Sequence, residues 1–234
     1  MKLSEILTLV LYRNVLNTCY VDSKTHQFNE DKLPAIITFL NESLLKLYSK
    51  FTLKVDSIWV HLQESRVNYP LTKEHIIPNW GEPSYDKYLW KGFEETFKDD
   101  VIKILDVYDN KENKLPINDP EELMSVYTPM YNILEVSSRF PTQVLNVTYQ
   151  AAPDKIVYSP EHDTEVYLPD LLVGALVAYT NYLIFASIGS PASMQQAQVF
   201  LAEYQNILDE LIETDSINPQ YSTNTEKFYK RGWC

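Results

Sequence analysis

Tyr167–Glu213, YLPDLLVGALVAYTNYLIFASIGSPASMQQAQVFLAEYQNILDELIE, is the stretch whose reading decides the fold. Leu172, Ala175, Leu176, Tyr179, Tyr182, Leu183 and Ala186 recur at three- and four-residue steps, the spacing of one face of an α-helix. Ala197, Leu201, Tyr204, Leu208 and Leu211 repeat the pattern, widened by Phe200, Ile207 and Ile212. Between the two runs stands Ile188-Gly189-Ser190-Pro191. Glycine takes the left-handed conformation that ends a helix, serine caps the next one with its hydroxyl, and proline at the first helical position loses nothing by lacking an N–H. The stretch is a helical hairpin.

No charged residue falls between Leu171 and Ile188, which puts the first helix at the lower edge of a membrane span. Against a span stand Tyr179, Thr180, Asn181, Tyr182 and Ser187, and the lack of Lys or Arg at either end to set an orientation. A helix apolar nearly all round is otherwise one buried on several sides. Packing in its own domain and against a neighbouring subunit, with no membrane, is the reading adopted.

At 234 residues the chain is long enough for one sizeable core, or for one core carrying an elaborated insertion. Hydrophobic residues make up 45% and charged residues 22%, which excludes a disordered chain. The 20 Lys and Arg against 32 Asp and Glu leave a net charge of −12, the wrong sign for gripping DNA phosphates. Cys19 and Cys234 sit near opposite ends, with no CxxC pair and hence no disulfide framework or zinc site. Glu5 and Arg13 interrupt the N-terminal apolar run, so it does not read as a signal peptide, and the chain is expected to be intracellular when made.

The periodicity predicts one helix from Leu3 to about Asn17 and another from about Glu30 to Tyr48, the second with Asp31 as cap and Pro34 in its first turn. Phe51–Glu64 and Val101–Tyr108 read as strands, as do Val144–Tyr149 and Lys155–Ser159 around a turn at Ala151–Asp154. Asn68–Phe97 is rich in proline and aromatics, an irregular insertion with a short helix near Tyr88–Lys98. Pro120–Met130 reads as a helical turn. The expected fold is therefore mainly α: a bundle of N- and C-terminal helices with an inserted β-rich portion and an extended C-terminal tail. The expected divisions are 1–50 for the N-terminal helices, 51–166 for the insertion, 167–213 for the hairpin of the same bundle, and 214–234 for the tail.

Chemistry is hard to find. His26, His61, His75 and His162 lack the spacing of metal ligands to one another or to a carboxylate. Five glycines form neither GxGxxG nor a P-loop, and no GxSxG elbow is present. Glu94–Glu95 and Asp99–Asp100 are adjacent along the chain, which does not set two carboxylates across a substrate; they read as surface charge. The expectation is no catalytic residue, no cofactor and no metal. The C-terminal tail says more. It ends on Phe228, Tyr229, Lys230, Arg231 and Trp233, with Tyr221 before them, residue types that dominate interface hot spots. These six are the candidate partner-binding residues.

The order of elements resembles the head-to-tail adaptor (connector) proteins of tailed bacteriophages, the tail tubular A and gp6-like family. The likeness rests on EDKLPAIITFLNESLLKLY, on VYD with a polar turn and LP, on VLNVTYQAAPDKI, and on LPDLLVGALVAYTNYLIFASIG followed by AQVFLAEYQNILDEL. It spans nearly the whole chain and is strongest over Val144–Leu211. The resemblance implies a homo-oligomeric ring, usually of twelve subunits, between the portal protein and the tail tube or nozzle protein of a virion. Viral DNA would pass through its lumen without specific binding. It also implies that Tyr221–Cys234 docks on the portal. Asn68–Lys98 departs from the family pattern, being longer and more aromatic than a minimal adaptor's insertion. Two rivals remain open: another tail ring protein, such as a terminator or nozzle-proximal collar, and a soluble host-directed enzyme or inhibitor.

Overall fold

The computed structural model describes residues 1–13, 15–78, 81–92, 96–138, 140, 143–159, 163–214 and 216–217. By compactness the chain divides into a unit of Met1–Leu47 with Ile156–Cys234 and a second of Tyr48–Lys155.

The first unit is built on the hairpin. Helix α3 runs Asp170–Ile188 and helix α4 Pro191–Glu213. Gly189 ends α3 at φ 73°, and Ser190 Oγ accepts from Ser193 N at 3.1 Å to cap α4, with Pro191 as its first residue. The two helices touch through Phe185 stacked on Phe200 (ring centroids 5.5 Å) and Tyr179 tilted on Tyr204 (4.8 Å). Helix α1 (Leu3–Tyr12) buries Leu3, Ile6 and Val10, and α2 (Leu33–Lys50) starts so that Pro34 lies in its first turn. The first helix is shorter than its periodicity predicts: the chain leaves α-geometry at Arg13, and Val15–Asn17 form a separate 3-10 turn.

Burial in α3 also departs from the predicted stripe. Tyr182, Leu183 and Ala186 are only half-buried, whereas Val177, Ala178, Thr180, Asn181 and Ile184 are fully enclosed. The helix is enclosed on several sides, so a single stripe does not describe it. Its polar residues are accommodated inside: Thr180 Oγ1 donates to Leu176 O at 2.8 Å and pairs with Ser43 Oγ at 3.0 Å, and Asn181 Nδ2 donates to Arg13 O at 3.4 Å. By length and composition α3 could cross a membrane, but half of that window is buried within the protein.

Among its described residues the second unit has seven strands in two antiparallel sheets. Strands β1 (Val55–His61), β3 (Leu89–Trp90), β4 (Val101–Tyr108) and β7 (Val144–Ala151) form one, in the order β3-β1-β7-β4. Strands β2 (Asn68–Pro70), β5 (Tyr127–Met130) and β6 (Ile133–Glu135) form the other, in the order β2-β6-β5. The register sets Ile58 beside Val147 and Val60 beside Leu145, and alternation turns these to one face. That face shares a core with Tyr69, Leu71 and Leu134 of the smaller sheet and its surroundings.

The expectation of a mainly α protein is overturned: the structure is mixed, 37% helical and 21% strand, with four helices and two antiparallel sheets among the described residues. Four of the strands are only two to four residues long, too short for a period of two to show in the sequence. Three local readings fail for related reasons. Leu89–Trp90 pair with β1 as β3, where a short helix near Tyr88–Lys98 is predicted. Pro120–Met130 contains a turn and then β5 in place of a helical turn. Among the described residues Lys155–Ser159 has no strand partner, and the Asn41 side chain serves the backbone of Ile156. Its Oδ1 accepts from Ile156 N at 2.8 Å and its Nδ2 donates to Ile156 O at 3.0 Å.

Candidate interaction surfaces

The titratable residues sort first by what their surroundings allow. His26 sits in an exposed turn at φ 53°. His61, half-buried in β1, has its imidazole pKa pushed down by burial. His75 Nδ1 lies 2.9 Å from Asp86 O, and its ring stacks on Tyr88 at 4.7 Å. His162, Glu94, Glu95 and Cys234 lie outside the described residues. Among the described residues, His, Cys, Asp and Glu form no group of three or more that could hold a metal.

The densest charged cluster belongs to the larger sheet. Lys91 Nζ hydrogen-bonds Asp56 Oδ1 and donates to Ser57 O at 2.8 Å; its side chain is 5% exposed. Tyr149, on the central strand β7, points its hydroxyl at Asp56 Oδ2 (3.4 Å) and Asp100 Oδ1 (3.5 Å), with the Lys91 ammonium 5.6 Å from its ring centre. Lys54 bridges Asp100 (3.6 Å) and Asp154 (3.7 Å), and Lys98 holds Asp154 at 2.5 Å. Burial, then the two carboxylates, drive the Tyr149 phenol far above its ordinary pKa. The Tyr149 hydroxyl donates to both carboxylates. Asp99, the other half of the predicted carboxylate pair, is exposed in a bend at φ 63° and lies outside this network. The cluster is an electrostatic staple of the sheet.

A second staple ties the 63–66 turn to the 82–88 loop. The Arg66 guanidinium lies 4.5 Å from the Tyr85 ring centre and 4.4 Å from that of Tyr88. Tyr88 and Tyr69 meet edge to face at 5.3 Å, and Tyr69 Oη donates to Arg66 O at 3.0 Å. Part of the aromatic insertion is thereby explained: Tyr85 and Tyr88 are held against their own domain.

Surface apolar side chains are the features that staples do not absorb. On the helical unit, Leu9 and Tyr12 project from α1, Val157, Tyr158, Tyr167 and Leu171 from the segment entering α3, and Val199 and Ile212 from α4. A groove of about 470 Å³ beside the hairpin turn is lined by Cys19, Phe185, Ile188, Ser190 and Gln196 among others. On the β unit, Leu123, Met124, Tyr127, Met130 and Tyr131 stand out within one short length of chain. Sequence reasoning missed this last group by assigning 120–130 to a helical turn. The readable signal is LMSVYTPMY without a single Lys or Arg. The six tail residues singled out from the sequence, Tyr221, Phe228, Tyr229, Lys230, Arg231 and Trp233, lie outside the described residues. Compared with known proteins, the chain matches no family model and no curated protein.

Proposed function

We propose that the chain is a structural virion protein of a tailed bacteriophage, a head–tail adaptor acting as a ring between the portal vertex and the tail. The carrying observation is the apolar surface of the helical unit. Tyr12 is 72% exposed on α1, and Tyr167 is 75% exposed on the segment leading into α3. Tyrosine combines apolar area with a polar tip, which suits surfaces that become buried on assembly. A ring closes through heterologous contacts, in which each subunit uses two different faces. Apolar side chains exposed on α1, on the segment before α3 and on α4 support the use of more than one surface.

The order of elements described for the adaptor family supports the reading, as does the net charge of −12. An acidic lumen repels DNA and lets it slide, where a basic one would hold it in a salt-dependent way. In this reading the tail, with Tyr221, Phe228, Tyr229, Lys230, Arg231 and Trp233, binds the portal protein, and the β unit faces the tail tube or nozzle protein. The mechanism is surface complementarity and needs no cofactor. Light scattering on the purified protein, alone and mixed with a portal ring, tests it. A ring-sized species, or a monomer that joins a ring only on the portal, is the expected result. A persistent monomer that ignores the portal refutes the reading.

A further inference from the structure

We propose that the surface from Leu123 to Tyr131 is a docking site for a protein partner presenting an apolar face flanked by Lys and Arg side chains. Leu123 is 98% exposed, and Met124, Tyr127, Met130 and Tyr131, all within the length of chain from 123 to 131, are exposed as well. Scattered apolar side chains on a surface are ordinary, but five of them within one short length of chain are a concentration. Two of the group are methionines, whose flexible thioethers adapt to an irregular partner.

The group is held on a fixed base. Val126 and Leu134 beneath it are fully buried. Thr128 N donates to Asn118 Oδ1 at 2.9 Å, Asn118 Nδ2 donates to Thr128 Oγ1 at 2.8 Å, and Asp119 N donates to Ser125 Oγ at 2.9 Å. Binding therefore has little loop ordering to offset.

The same bonds decide the mode of recognition. Strand β5 lies at the edge of its sheet, where an extended peptide could add a strand. Along this edge Val126 N already donates to Pro116 O, Asn118 N to Val126 O, and Thr128 N to Asn118, while Pro129 has no N–H. Strand addition is closed off, so side chains carry the recognition.

Charge selects the partner. From residue 119 to residue 135 the chain carries Asp119, Glu121, Glu122 and Glu135 and no Lys or Arg. A second copy docking the same surface would set these carboxylates against each other, and the chain as a whole is acidic at −12. A separate partner with a basic rim complements the apolar group and the carboxylates of Asp119, Glu121 and Glu135 near it. The inference goes beyond the adaptor reading and does not depend on it.

The test uses the full chain and two fluorescent amphipathic helical peptides sharing one Leu-rich face, one flanked by Lys and the other by Glu, followed by anisotropy. The Lys-flanked peptide is expected to bind at least about tenfold tighter at low salt. Leu123→Asp, a change at a solvated position, should weaken it by about tenfold or more. The pair Glu121→Lys and Glu135→Lys should remove the preference. Equal affinity for both peptides, no binding of the Lys-flanked one, or indifference to Leu123→Asp overturns the proposal. So does self-association of the chain that Leu123→Asp abolishes, which would make a second copy the occupant. Portal binding is not an arm of this test, so the adaptor reading and the docking surface can fail separately.

Discussion

Replacing Lys91 with methionine tests whether the charged cluster on the larger sheet is a staple or surface decoration. The Lys91 side chain is 5% exposed and that of its partner Asp56 is 31% exposed. Methionine keeps most of the stem's packing over the Tyr149 ring but removes the ammonium from Asp56 and from Ser57 O. Breaking a fully buried pair by deleting one partner costs about 3–5 kcal/mol. Here the stranded carboxylate is about a third exposed and can rehydrate, which lowers the expected cost of Lys91→Met to about 2 kcal/mol. Adding Asp56→Leu removes the stranded charge, so the double variant should recover about 1 kcal/mol or more. Trp59 and Trp90, paired across β1 and β3, report on this unit by fluorescence during urea unfolding. The midpoint should shift at constant slope. A cost below about 0.5 kcal/mol for Lys91→Met, or strict additivity in the double variant, would refute the staple.

Other outcomes follow from the same geometry. Ser190→Ala removes the cap that Ser193 N uses, and should destabilise the helical unit by about 1 kcal/mol in thermal melting. Gly174 sits inside α3, and an added Cβ would meet Ile207 Cδ1 at 3.6 Å, an ordinary van der Waals distance. Gly174→Ala should thus stabilise by about 0.5–1 kcal/mol, read as a higher midpoint in urea. Burial holds the His61 imidazole below its ordinary 6.5, so the unfolded chain takes up the proton first. The β unit should accordingly lose stability as pH falls through 6.5 toward the depressed value, and His61→Gln should flatten the profile of melts from about pH 7.5 to about pH 5. Removing residues 220–234 should leave the melting curve unchanged and abolish binding to a portal ring; a truncated protein that still binds would count against the tail's role.

What was legible in the sequence and what was not follow from the strength of local signals. The hairpin turn is specified by three adjacent residues with separate backbone roles, and Gly189, Ser190 and Pro191 each take the role their chemistry suggests. Long strands such as Val101–Tyr108 and Val144–Ala151 also announce themselves, through β-branched residues over several alternations. Short strands do not. Leu89 and Trp90 become a strand because Trp59 and Val60 lie beside them, a partnership set by distant residues. Lys155–Ser159 shows the converse: β-like residues whose backbone is satisfied by the Asn41 side chain. The charged cluster escaped notice because Asp56, Lys91, Asp100 and Tyr149 are far apart in sequence and meet only through the sheet. Of the carboxylate pair Asp99–Asp100, which the sequence displays as surface charge, Asp100 belongs to the cluster and Asp99 does not.

Helix α3 shows why composition alone misleads about burial. Its uncharged run suggests either lipid or a many-sided core, and hydropathy cannot separate the two. Thr180 and Asn181 supply the separation. Thr180 meets Ser43 of α2, and Asn181 meets the Arg13 carbonyl where α1 ends, so each marks a neighbour on a different side of the helix. Among the described residues Asn181 Oδ1 is buried without a partner, an arrangement that carries a desolvation cost of about 1–3 kcal/mol. A helix selected only for apolar packing would hold leucine there. The asparagine instead satisfies the Arg13 carbonyl, left over because α1 stops short of the length its periodicity allows. The polar residue that argues against a lipid-facing helix and the early end of α1 are therefore two sides of one arrangement.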